Sequence, residues 1–110
     1  MSHVIIPAPV QAVVDAINAG DTEAFVSAFT RDGAVDDWGR VLTGHDGVRS
    51  WASTDAIGAG AQMEVLEAST EGDTTEIRFS WKSRVFNGES SAFVTVADGL
   101  VSLFRIPPHA

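Results

Sequence analysis

The sequence predicts an α+β domain in which three helices, all in its first half, pack on a curved antiparallel sheet made from its second. Three observations carry that reading. Apolar residues recur at helical spacing in stretches up to Ala52, and they alternate with charged residues from Thr74 onward. Asn87-Gly88 and Asp98-Gly99 then divide the second half into hairpins.

Pro7 and Pro9 punctuate the start, where proline suits the first turn of a helix. Val10, Val13, Val14 and Ile17 follow at i, i+3, i+4 and i+7, the single apolar face of an amphipathic helix. Asn18-Ala19-Gly20 ends it, with Gly20 suited to a left-handed stop. Asp21 can cap a second helix, Glu23 favours its first turn, and Phe25, Val26 and Phe29 form its apolar stripe. Thr30 to Gly33 reads as a turn and Ala34 to Trp38 as a short strand broken by Gly39. Thr43-Gly44 leads into a third helix, begun by His45 or Asp46, with Val48, Trp51 and Ala52 on one side. Gly58 to Gly60 marks a loop.

Beyond the loop the pattern is strand and hairpin. Gln62 to Ser69 is bounded by Glu71-Gly72-Asp73. From Thr74 to Phe86, Ile77, Phe79, Trp81 and Val85 point one way, and Glu76, Arg78, Lys82 and Arg84 the other. Ser90 to Val96 and Leu100 to Ile106 complete a four-strand meander, which Pro107-Pro108 stops. In these last two strands both faces carry apolar residues: Leu100, Phe104 and Ile106 against Val101 and Leu103, and Ala92, Val94 and Val96 against Phe93. A sheet with one wet face does not need this, so a homodimer that covers part of the sheet's back is expected.

With 110 residues the chain is expected to be one domain, spanning 1–110. Fifteen acidic and seven basic residues give a net charge of −8, and the basic ones form no run, which argues against nucleic acid as a partner. There is no cysteine, so disulfides, thiolate metal sites and cysteine nucleophiles are excluded. No apolar stretch approaches the ~20 residues of a membrane span, and the start lacks a basic leader, so the expectation is a cytoplasmic protein without membrane contact. No metal-ligand spacing or phosphate-binding glycine loop is present, so no cofactor is expected.

The run VQAVVDAINAGDTEAFVSAFTRDGAVDDWG, Val10 to Gly39, resembles the opening of ketosteroid isomerase and the SnoaL-like polyketide cyclases. The later TGHDGVRSW resembles the same family's glycine-then-helix segment. The resemblance implies the cone-shaped fold of nuclear transport factor 2 (cystatin-like), wrapped around a pocket for a small hydrophobic ligand. That scaffold hosts isomerases, cyclases, epoxide hydrolases and non-enzymatic binding domains, so it does not fix an activity. Carried over residue by residue, it places Asp37 where the isomerase keeps its general base. The isomerase's oxyanion-binding phenol falls on Val13, and its neutral acid falls at or near Ala92 or Phe93. Neither replacement has a side chain that can donate a hydrogen bond, so steroid isomerisation is not expected.

Adjacent residues of a strand face opposite ways, so of Asp36 and Asp37 only one can face a pocket, and the resemblance selects Asp37 as the catalytic residue. Trp38, Trp51, Arg49, Val13 and Phe93 are the candidate substrate-binding residues. Arg40 or Arg49 can hold an anionic group, or pair with Asp36 or Asp46 on the surface. The resemblance also offers an aspartate–arginine–aspartate set around a water, as in epoxide hydrolases of this fold; the sequence shows Asp37 and an arginine for it but no second acid. His45 reads as a polar residue at a helix start, and His3 and His109 lie near the termini. Two functions follow: proton-transfer chemistry with Asp37 as base, or a non-catalytic ligand-binding or dimerisation module.

Overall fold

The computed structural model describes residues 4–108. Helix α1, Ala8–Ala19, starts behind Pro7 and ends at Gly20, whose φ of 68° is the left-handed stop. The Asp21 N–H then returns to the Ala16 carbonyl at 3.0 Å, closing the helix end. The Asp21 carboxylate accepts the Ala24 N–H at 3.0 Å, so one residue leaves α1 and caps α2, Thr22–Ser27. Val10, Val13, Val14 and Ile17 of α1, and Phe25 and Val26 of α2, are buried.

The chain then departs from the expected turn. Strand β1 runs Phe29–Asp37, and Phe29 opens it instead of closing the helical stripe. Residues 30–33 are turn-formers, yet they make an irregularity inside the strand: Phe29 pairs with Val101 and Ala34 with Leu103, so the register shifts between them. A Cβ on Gly33 would come within 3.0 Å of the Val101 carbonyl oxygen, which explains a glycine at this close approach. Strand β2, Arg40–Thr43, folds back antiparallel to β1 and was not foreseen, because four residues are too short for a pattern. Helix α3, Gly44–Asp55, begins directly after Thr43, ahead of His45, and buries Val48, Trp51 and Ala52. A 3-10 turn, Ile57–Ala59, takes the place of the loop expected at Gly58 to Gly60.

Strands β3 (Gln62–Glu71), β4 (Thr74–Lys82), β5 (Asn87–Ala97) and β6 (Leu100–Ile106) form the meander. The six strands lie in the order β2-β1-β6-β5-β4-β3, antiparallel except for the parallel β1–β6 pair. Strand β4 stops at Lys82, four residues sooner than the alternation suggests. Ser83–Phe86 is the turn: the Ser83 hydroxyl oxygen accepts the N–H groups of Val85 and Phe86 at 3.2 and 3.1 Å. Asn87 and Gly88 therefore open β5, paired with Lys82 and Trp81, and do not form the reversal themselves. Asp98-Gly99 does reverse the chain, with φ of 54° and 78°.

The apolar residues on both faces of β6 have a local cause. Thr95 pairs with Leu103 but Val96 pairs with Val101, so Ser102 is an extra residue that rotates Val101 inward beside Phe104. Phe93 and Leu103 remain half-buried on the outer face. The core fills the space between the helices and the inner sheet face, with Trp51, Phe25, Phe29, Phe104, Ile17 and Ile77 its largest fully buried side chains.

Helix α3 lies so close to β2 that a Cβ on Gly47 would sit 2.7 Å from the Leu42 carbonyl carbon. Gly47→Ala, which in an open helix would stabilise by about 1 kcal/mol, is expected to destabilise here. Urea denaturation of the variant checks this, and a gain in stability would contradict the close packing of α3 on β2.

Candidate functional site

Strand β1 ends at Asp36-Asp37, and its pleat sends the two carboxylates to opposite sides. Asp36 belongs to the outer face, where it accepts the Gly39 N–H at 2.9 Å and lies 4.0 Å from Arg105 Nε. Asp37, paired with Ile106, faces the helical layer and lines a cavity of about 330 Å³. Phe79, Trp81 and Ile106 of the sheet and Trp51 of α3 wall it, and Trp38, Val85 and Phe86 stand on turns around it.

The carboxylate of Asp37 is held by α3. Its Oδ2 accepts the Trp51 indole N–H at 3.0 Å and lies 3.7 Å from an Arg40 guanidinium nitrogen. The same nitrogen lies 2.8 Å from Asp55 Oδ2. The Thr54 hydroxyl meets the other Asp55 oxygen. Trp51 is only 2% exposed, with its ring 5.8 Å from that of Phe25 and 6.1 Å from those of Trp81 and Phe104. Both contacts to Asp37 fall on one oxygen, so Oδ1 is the atom of this carboxylate not used in holding it. Asp37 and Asp55 retain partial solvent access, at 23% and 28% of their side-chain surface. The arrangement is two carboxylates sharing one guanidinium at the edge of an aromatic cavity.

Of the residues singled out in the sequence, the structure brings Asp37, Trp38 and Trp51 together on this cavity. The other three lie elsewhere. Val13 is fully buried in the core face of α1 and is not part of the lining. Arg49 precedes Trp51 by two residues, which turns it to another side of α3; it bonds Glu23 at 2.9 Å and lies 3.9 Å from Asp46. The hydrogen bond it donates to the Glu23 carboxylate raises the Arg49 guanidinium above its ordinary pKa, which keeps it an ion-paired cation on the surface. Phe93 alternates with Ala92 and Val94, so it lies on the outer sheet face, 5.8 Å under the Arg105 guanidinium. His45 donates its Nε2–H to the Phe29 carbonyl at 3.1 Å. His3 and His109 lie outside the described residues.

Sequence reasoning missed Asp55, although a signal for it existed. It follows Trp51 by four residues, which on a helix puts both on one face. Phe86 and Val85 were missed because the end of β4 was misplaced. Arg40 was weighed, but its bridging position depends on β2 folding back over β1. Among the described residues no group of His, Asp or Glu is arranged to hold a metal ion, and no helix is long and apolar enough to cross a membrane.

A family model for the SnoaL-like domain matches residues 10–104. Among solved structures, a protein assigned as a polyketide cyclase from Sinorhizobium meliloti is 26% identical, with a TM-score of 0.82 over 92% of this chain and 94% of that one. A Mycobacterium tuberculosis protein, solved in complex with estradiol-17beta-hemisuccinate, is 15% identical with a TM-score of 0.80, covering 92% and 91% of the two chains. The epoxide hydrolase/cyclase-like enzyme SalBIII, which acts in pyran ring formation in salinomycin, is 17% identical with a TM-score of 0.80, covering 90% and 86%. At such identity the last two show a shared fold and nothing more. No curated protein matches the sequence. A match over most of the length, on three helices and a six-stranded sheet of the nuclear transport factor 2 type, makes this chain a member of the SnoaL-like domain family.

Proposed function

We propose that this SnoaL-like domain admits a small hydrophobic molecule to its cavity and moves a proton on it, with Asp37 as general base. The observation that carries the reading is the Asp37 carboxylate on an aromatic cavity, with one oxygen anchored by a buried indole and the other left for substrate. A base fixed at one oxygen keeps the second in a set direction, and general-base catalysis depends on such positioning. The cavity, at about 330 Å³, suits one or two rings.

Arg40 shapes what that base can do. Asp37, Asp55 and Arg40 together carry one net negative charge when both acids are ionised, and the guanidinium bridges the two carboxylates. One acid can therefore accept a proton while the other stays charged and paired. That supports ring opening or ring closure, in which one group removes a proton and another returns one, as in hydrolase- and cyclase-type chemistry. The aspartate–arginine–aspartate set noted for epoxide hydrolases of this fold has a counterpart here in Asp37, Arg40 and Asp55. Steroid isomerisation has less support, because the aliphatic, buried Val13 offers no donor where that enzyme keeps its phenol.

Proton abstraction is measurable without the natural substrate. With 2-tetralone in D₂O, the protein is expected to speed deuterium uptake at the carbons flanking the carbonyl, followed by NMR. Asp37→Asn keeps an oxygen for the Trp51 N–H and is expected to lower that rate by about 100-fold or more. Equal rates in wild type and variant would mean that Asp37 is not the base. Arg49→Ala and Phe93→Ala, both away from the cavity, are expected to leave the exchange rate unchanged; a loss in either would mean that the cavity described is not where the ketone reacts.

A further inference from the structure

Two turns in this chain share a backbone shape but not a chemistry. Asp98-Gly99 and Trp38-Gly39 each place two consecutive residues at positive φ, 54° and 78° in the first and 57° and 89° in the second. Aspartate tolerates the left-handed region, because its short polar side chain can bond locally. A bulky indole there is an outlier. The backbone of the second turn is tied at both residues: the Trp38 N–H reaches the Ile106 carbonyl on β6 and the Gly39 N–H reaches the Asp36 carboxylate, both at 2.9 Å.

The indole lines the cavity while 55% of the residue remains exposed. The Ser83–Phe86 turn repeats the arrangement. Its closing bonds belong to Ser83, yet Val85 and Phe86 line the cavity and are 64% and 44% exposed. Turns ordinarily carry small or polar residues, and strain retained in a fold points to use.

We propose that Trp38, Val85 and Phe86 form an outer apolar half of the binding site, and that Trp38 determines specificity by selecting an elongated ligand. The inner ring of such a ligand lies in the cavity by Asp37, and a second ring lies on the Trp38 indole at the mouth. This rests on the cavity being the ligand site, and it adds the ligand's length and the residue that reads it.

Phenol and 4-phenylphenol share a head group and differ by one ring, so calorimetric titration of both against wild type and Trp38→Asn separates the two halves. Asparagine suits the turn, so the variant is expected to keep the wild-type thermal midpoint. Its affinity for 4-phenylphenol is expected to fall about tenfold, while its affinity for phenol changes by less than about threefold. If both affinities fall together, or neither does, the specificity assignment is wrong and the cavity remains a ligand site. A midpoint lowered by more than about 5 °C would show the indole to be part of the fold's support, and would also overturn the assignment. If neither compound binds wild type, the cavity reading fails and this inference with it.

Discussion

The hydrogen bond from the Trp51 indole to Asp37 ties the helical layer to the end of strand β1, and the arrangement of the site follows from it. Which partner positions the other is decided by burial. Trp51 lies against Phe25, Trp81 and Phe104, and ring pairs of this kind each contribute about 0.5–1.5 kcal/mol beyond the area they bury. Asp37 is partly exposed and ends a strand. The indole is therefore the fixed member and the carboxylate the positioned one. The same helix supplies Asp55 one turn later, so a single rigid element sets the distance between the two acids.

The irregularities of the sheet matter as much as its regular pairing. The bulge at residues 30–33 lets β1 begin beside Val101 and still end with Asp37 against Ile106. The extra residue at Ser102 brings Val101 and Phe104 to the same face, under the helices. The tight Trp38-Gly39 turn brings β2 back, which carries Arg40 to within 3.7 Å of Asp37. A sheet of perfect alternation would contain the same residues without bringing both acids and the guanidinium together.

This separates what the sequence discloses from what it conceals. Helix α1 was readable from four valine and isoleucine positions, because its period comes from one buried face and the Gly20 stop is local. Asp21 as a cap and Asp98-Gly99 as a turn were readable for the same reason: each needs only its immediate neighbours. Thr30 to Gly33 misled, because residues that favour a reversal also favour a bulge, and the choice is made by β6, some seventy residues away in the chain. Asn87-Gly88 misled in a different way: the Ser83 hydroxyl closed the turn first. At the site, Asp37 and Trp51 could be named individually, but the sequence contained no statement of their bond. Phe93 and Arg49 were chosen without knowing which face each would take, and one residue along a strand, or two along a helix, was enough to turn them away.

Val13 and Arg40 set this site apart from the one that the resemblance implies. Val13 is fully buried in the core face of α1 and its side chain has no donor, so the position that the resemblance gives to the isomerase's phenol offers no hydrogen bond. The charge near Asp37 is instead answered by Arg40 on β2, with Asp55 as its second partner. A guanidinium shared by two carboxylates stabilises negative charge on either of them, whereas a phenol stabilises it on the substrate. The structural consequence is a pair of acids bridged by one guanidinium, with no phenol beside them. It arises on strand β2 and the last turn of α3, and neither lies within the stretch, Val10 to Gly39, in which the resemblance to the isomerase is most evident.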